Sequence, residues 1–275
     1  MPSYVIVGAS RGIGYQYLKT LSADPSNIVI GTARTVAPTA AQVASDKLGP
    51  NVHIIQGDLD SFSSLSAAAK ATSLLTNGVV DYLIVNGAYL SKASQFKLPT
   101  DYATDPELFA TELNNSMQTN VTGVLYAINA FLPLIRKSSI KKVIVITSGM
   151  ADTDLVVPTP IKNALPYSIS KVAVNMVVAK FAAELIDEGI AFLSLSPGLV
   201  DTDAGRADEN ATEEEKEMTA KLMEEFGKNL QKYSPTFAGP ITTEESVRMM
   251  LEVVHGLTMK DTGAFLSHKG DKIWV

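Results

Sequence analysis

The chain has 275 residues, 46% of them apolar, with a formal net charge of −6, which describes one globular unit with a large core and offers no basic surface for nucleic acid. It has no cysteine, so disulfides and thiolate metal sites are excluded, and with them a zinc-dependent alcohol dehydrogenase whose structural metal needs cysteines. Only His53, His255 and His268 remain as soft ligands, widely separated, so they are expected to be packing or surface residues and no metal site is predicted.

The chain passes from Met1-Pro2-Ser3 straight into the apolar run Tyr4 to Val7, with no basic or signal-like segment before it. No apolar run reaches the length of a membrane span, so a soluble cytoplasmic protein without a membrane partner is expected. Short β-branched runs then recur with helical stretches between them: Tyr4 to Val7, Ile28 to Thr32, Val52 to Gln56, Tyr82 to Val85, Lys142 to Ile146, Ile190 to Leu195 and Gly263 to Ser267. Most are apolar throughout instead of alternating, as strands buried on both faces of a parallel sheet are. The predicted fold is therefore α/β, a doubly wound Rossmann-type parallel sheet of about seven strands with helices on both faces. No linker, low-complexity tract or repeat divides it, and one domain is expected over residues 1–275.

Gly8-Ala9-Ser10-Arg11-Gly12-Ile13-Gly14 follows the first strand directly, and a helix is expected to begin near Tyr15. Glycines let a backbone turn tightly against phosphates, and a helix N-terminus offers free N–H groups and partial positive charge, so this order suits a dinucleotide pyrophosphate. The second strand runs out at Gly31-Thr32-Ala33-Arg34, with no acid between Ile28 and Pro38 to meet a free ribose hydroxyl. Arg34, joined by Arg11 from the glycine turn, suits a 2′-phosphate instead, and NADP(H) is favoured over NAD(H). Past the third strand, Gly57-Asp58-Leu59 places a carboxylate where an adenine edge is met, although Asp58 capping the next helix explains it as well.

Ser148 ends the run Val143 to Thr147, so its hydroxyl is expected to face out from a strand's carboxyl end, where open α/β sheets bind ligands, while Thr147 points the other way. Tyr167 and Lys171 are four residues apart and share one face if the segment is helical. A tyrosine titrates near pH ~10, and a lysine cation beside it favours the phenolate and lowers that value. Such a hydroxyl can exchange a proton with a carbonyl or alcohol oxygen while hydride moves at the carbon. The same spacing also occurs on plain helix surfaces. Between Ala207 and Lys232, Glu and Lys crowd together and Met218, Leu222, Met223, Phe226 and Leu230 recur at helical spacing. That is an amphipathic helix, or two, either packed on the core or covering a substrate pocket.

Gly8 to Gly14, Asn86, Asn120, Ser148, Tyr167, Lys171 and Pro197-Gly198 stand in the order and approximate spacing of the short-chain dehydrogenase/reductase family, which the chain resembles over nearly its whole length, its fungal and C-factor-like carbonyl reductases most of all. The resemblance implies that Tyr167 is the general acid in reduction, that Lys171 lowers its pKa and binds the nicotinamide ribose, and that Ser148 holds the substrate oxygen. It implies that Asn120 kinks a helix and holds a water that links the lysine to solvent. Asn86 and Gly87, and Pro197-Gly198 with Val200 and Thr202 beyond it, would line the nicotinamide, and a substrate lid would cover about residues 203–237, with Met-rich faces fit for a lipophilic carbonyl or alcohol. Family habit implies a homodimer or homotetramer. Two departures stand out: Val7 replaces the usual threonine, and Val85-Asn86-Gly87-Ala88 replaces Asn-Asn-Ala-Gly, so an apolar contact between Val7 and Val85 is expected in place of a polar tie. The segment from Ser148 to Tyr167 is longer than usual and is expected to line the active site or a subunit contact. The expected activity is an NADPH-dependent carbonyl reductase; an NADP-linked alcohol dehydrogenase or natural-product ketoreductase would use the same residues, and a binding protein that senses NADP without turnover is the alternative of another class.

Overall fold

A computed structural model of the protein describes residues 1–202 and 212–275. Seven strands form one parallel sheet: β1 (Ser3–Val7), β2 (Ile28–Ala33), β3 (Val52–Gln56), β4 (Tyr82–Val85), β5 (Lys142–Ile146), β6 (Ala191–Ser196) and β7 (Ala264–Ser267). Their order across the sheet is β3-β2-β1-β4-β5-β6-β7. The winding therefore reverses between β1 and β4, and such a switch point opens a crevice at the carboxyl ends of the strands. Every expected strand is present, with bounds displaced by at most one residue. Gly263 falls outside β7 because its φ of +82° belongs to the left-handed region, not to a strand.

The continuous apolar runs bury both faces. Val5, Val7, Leu83, Val85, Val143, Val145 and Phe192 face one core cluster, closed by α3 (Phe62–Leu75), α5 (Gly123–Ile135) and α7 (Leu165–Glu184). Their alternate neighbours, among them Tyr4, Ile6, Ile84, Ile144, Leu193 and Leu195, face the other, closed by α1 (Gly12–Ser22) and α9 (Thr243–Gly256). At about 25 cal/mol per Å² of apolar surface, burial on two faces is what orders so continuous a sheet.

The remaining helices are α2 (Val36–Ser45), α4 (Pro106–Met117), the single turn α6 (Thr153–Val156) and α8 (Glu213–Tyr233). α8 is one helix, not two, and its Leu230 is fully buried. Of the expected lid at about 203–237, residues 203–211 and the side chains of Met218 and Leu222 lie outside the described residues. α1 opens at Gly12, earlier than the expected start near Tyr15. The first turn of a helix leaves its N–H groups without intrahelical partners, so glycines cost little there.

Candidate active site

The carboxyl ends of β1 to β6 open into one cavity of about 870 Å³. It is lined by Gly8, Ser10, Arg11, Gly12, Ile13, Arg34, Asp58, Leu59, Asn86, Gly87, Ser148, Tyr167, Lys171, Pro197, Gly198, Val200 and Thr202, that is, by every expected catalytic or cofactor-binding residue except Gly14 and Asn120. Gly14 is buried beneath the turn, where a side chain would run into the Gly8 carbonyl oxygen and the Asn86 amide.

The glycine turn is held from both neighbouring strands. Gly8 has φ +86°, and a Cβ there would lie 2.5 Å from Gly87 Cα. The backbone N–H groups of Asn86 and Gly87 both donate to the Val7 carbonyl at 2.9 Å, and Asn86 Nδ2 donates to the Gly8 carbonyl at 2.9 Å. Val7 does pair with Val85, and both are buried in the same cluster, as expected. The polar tie is nevertheless kept, since Asn86 spans the gap and Thr32 of β2 accepts from Gly8 N at 3.3 Å. Thr32 was not read from the sequence; its signal is a fully buried hydroxyl in an otherwise apolar strand.

Arg11 and Arg34 are exposed at the rim of this end of the cavity, and among the described residues neither guanidinium has a hydrogen-bond or ion-pair partner. Two unpaired guanidiniums beside a glycine turn and the α1 N-terminus form a ready anion site. Asp58 does not cap α3: Ser61 does so, its hydroxyl accepting from Ser64 N at 3.2 Å, while an Asp58 carboxylate oxygen accepts from Asp60 N at 3.1 Å. Leu59 packs under Gly87 and Gly123, where no side chain fits.

Tyr167 lies in the first turn of α7, started by Pro166 after the left-handed Ala164, with φ 55°. The expected helix is present, and Lys171 Nζ stands 5.4 Å from the Tyr167 ring centroid. The electrostatics differ from expectation. Burial pushes the Tyr167 phenol up to about 12, against a smaller downward pull from the Ser148 hydroxyl, and burial draws the Lys171 ammonium down to about 8. Burial sets the direction of both shifts: Lys171 is 2% exposed, and its Nζ donates to the Ile146 carbonyl at 3.0 Å. Ser148 Oγ accepts from Met150 N at 3.2 Å, so its own proton stays available to the cavity. Thr147 turns away as expected, its hydroxyl directed to the Lys171 carbonyl at 3.5 Å.

Asn120 sits in a π-helical turn, Gln118–Thr122, between α4 and α5, which is the expected helix irregularity. It does not reach the cavity. Its Oδ1 accepts from Tyr89 N at 2.7 Å, and its Nδ2 donates to Tyr89 O at 3.0 Å and to Ser170 Oγ at 2.9 Å. Ser170 Oγ in turn donates to the Tyr167 carbonyl at 2.6 Å. The Asn120 side chain therefore ties the loop after β4 to the first turn of α7.

The long segment after Ser148 lines the cavity through Met150 and residues Pro160 to Ala164, which answers one of the two expectations for it. Trp274, only 2% exposed, holds it down: its Nε1 donates to Asp152 Oδ2 at 2.8 Å, its ring stacks on Phe265 at 4.2 Å, and it packs with Leu155 and Ile161. Beyond the lone Trp, no local pattern marks this role. Gly198, φ +83°, rests on the His268 ring 2.8 Å from where a Cβ would be, and the Pro197 carbonyl accepts from Ser246 Oγ at 2.7 Å. His268 is thus a packing residue, held neutral by burial, which draws it down to about 4.

The model of the short chain dehydrogenase family matches residues 3–215. The chain belongs to the short-chain dehydrogenase/reductase family. It is 43% identical over 277 residues to the short-chain dehydrogenase/reductase AacuF of Aspergillus aculeatus, and 37% identical over 278 residues to the short chain dehydrogenase virK of Hypocrea virens, each match covering 100% of both chains. An NADPH-bound carbonyl reductase from chicken fatty liver shares its fold with a TM-score of 0.76 at 24% identity, over 98% of this chain and 93% of that one. The carbonyl reductase Sniffer of Drosophila melanogaster does so with a TM-score of 0.75 at 20% identity, over 98% of each chain. The short-chain dehydrogenase/reductase described here is an oxidoreductase of the alcohol–carbonyl couple that uses a nicotinamide cofactor. Among its described residues no helix is long and apolar enough to cross a membrane, and no cluster of metal-ligating side chains occurs.

Proposed function

We propose that this enzyme reduces a lipophilic aldehyde or ketone to the alcohol with NADPH. The observation that carries the proposal is the placing of Tyr167 and Ser148 in the same cavity as a glycine turn flanked by two guanidiniums that are unpaired among the described residues. Arg11 and Arg34 would hold the 2′-phosphate, the Gly8 to Gly14 turn and the α1 N-terminus the pyrophosphate, and Pro197 to Thr202, with Asn86 and Gly87, the nicotinamide end. Bound there, the cofactor supplies the hydride. The NADPH-bound state of the chicken carbonyl reductase supports the same choice of cofactor.

Ser148 donates a hydrogen bond to the substrate oxygen and orients it toward the Tyr167 phenol. A phenol held near 12 keeps its proton at neutral pH. It is nonetheless acidic enough to protonate an oxygen that is becoming an alkoxide, a far stronger base. Lys171, a cation at neutral pH, then stabilises the phenolate left behind and contacts the nicotinamide ribose. α8, whose Met223 and Phe226 line the cavity, covers the substrate end as a lid, and Met side chains suit a pocket that adapts to lipophilic shapes.

The test is an NADPH-oxidation screen over aliphatic ketones, aryl ketones, quinones and diketones, with NADPH binding measured in parallel. Turnover of at least one carbonyl class, faster with NADPH than with NADH, is expected. Tight NADPH binding with no turnover of any class would instead favour a cofactor-sensing protein.

A further inference from the structure

The substrate end of the cavity has a chemical asymmetry. Its walls include Phe96, Met150, Ile161, Leu199, Met223 and Phe226, all apolar. Met223, Phe226 and Asn229 follow at intervals of three along α8 and so present one helix face, while Leu230 beside them turns into the core. α8 packs against the segment after Ser148, since Phe226 joins the cluster of Leu155, Ile161 and Trp274. Asn229 therefore lies on the substrate side, away from the glycine turn.

The Asn229 amide is half-buried and, among the described residues, has no hydrogen-bond partner. The other cavity amides differ in this: Asn86 donates to Gly8 O, Asn163 Nδ2 donates to Gln95 O at 2.7 Å, and Gln95 is buried and not free of partners. An amide covered by an apolar ligand would lose its water without replacement, a cost of about 1–3 kcal/mol. The nearby charges do not call for an ionic ligand. Lys162 Nζ and Glu225 Oε1, both lining the cavity, pair with each other at 3.2 Å, so their fields largely cancel.

We propose that Asn229 is a specificity-determining residue that reads a neutral hydrogen-bonding group, a hydroxyl or a second carbonyl, on an otherwise apolar and aromatic substrate body. This rests on the reductase reading and narrows its substrate class. The amide offers both a donor and an acceptor, so it serves either group. A carboxylate would meet no cation among the α8 residues that line the cavity, Met223, Glu225, Phe226 and Asn229, and gains nothing there.

The test compares NADPH-dependent reduction of three aryl ketones: 2-acetonaphthone, its analogue with a hydroxyl on the far ring, and its analogue with a carboxylate at that position. In the wild type, kcat/KM is expected to be about 3- to 10-fold higher for the hydroxylated ketone than for the parent, the worth of one net hydrogen bond. In Asn229→Leu that preference is expected to vanish, with the loss for the hydroxylated ketone seen in KM more than in kcat. Asn229→Ala, which adds no bulk, should lose the same preference. A preference that survives both substitutions, no preference in the wild type, or a wild type that favours the carboxylate would each overturn the assignment. Wild-type enzyme that binds NADPH and reduces none of the three would overturn the reductase reading and this inference with it, a result distinct from turnover without discrimination.

Discussion

Lys171 sets the electrostatic character of the site. Its ammonium is buried with one described hydrogen bond, to the Ile146 carbonyl, and its pKa is drawn down to about 8 from an ordinary 10.5. A folded-state value below the unfolded one means that the cation destabilises the fold at neutral pH, and the cost fades as pH rises from about 8 toward 10.5, where the amine is neutral in both states. Lys171→Met should therefore be more stable than the wild type at pH 7, by up to about 3 kcal/mol. Urea unfolding of the cofactor-free proteins should show that gap narrowing to about a quarter by pH 10, and a gap of the same size at pH 7 and pH 10 would refute it. At the other end of the cavity, Arg34→Ala should weaken NADPH binding about 10-fold or more while leaving NADH nearly unchanged, because only the 2′-phosphate loses a charge-assisted contact. Fluorescence titration with both cofactors reads this directly.

At the scale of elements, the active-site walls are fastened by contacts made far along the chain. Trp274, at the end of the chain, clamps the segment after Ser148 through Asp152 and Leu155. Trp274→Ala should cost about 3–5 kcal/mol if the cavity does not collapse. Because Met150 and Ile161 belong to the clamped segment, KM for ketones should rise, whereas NADPH affinity should change little. Kinetics at saturating NADPH beside thermal unfolding checks both. The π-turn before α5 serves a similar purpose, since Asn120 grips both backbone groups of Tyr89 and reaches Ser170. Asn120→Ala should lower kcat by displacing the first turn of α7, with the effect reaching Tyr167 through its carbonyl instead of through a lost proton carrier.

For the whole molecule, a protein of net charge −6 binds a polyanion only through a local field of the opposite sign, here that of Arg11, Arg34 and the α1 N-terminus. Raising ionic strength from roughly 0.05 to 0.5 M shortens the screening length several-fold, so it should weaken NADPH binding more than NADH binding. The strands were legible in the sequence because burial on two faces demands continuous apolar runs, and most cavity residues were legible because they stand just beyond a strand's carboxyl end, whereas Tyr167 and Lys171 were legible because four residues bring them to one face of α7. What was not legible depends on distance along the chain. Thr32 acts on Gly8 from the next strand, and Trp274 acts on Asp152 across the end of the sheet. The net direction of the Tyr167 shift is likewise not legible from spacing, which places a lysine near a tyrosine, because the burial that dominates both shifts is set by the whole fold.

The most direct test of the account is single-turnover reduction by wild type and Tyr167→Phe, each mixed with saturating NADPH and a ketone that the wild type reduces. Tyr167→Phe should bind NADPH within about 3-fold of wild type and oxidise it at least about 100-fold more slowly, in keeping with loss of a positioned general acid. If the phenylalanine variant oxidised NADPH at the wild-type rate, Tyr167 would not be the proton donor and the proposed mechanism would be wrong.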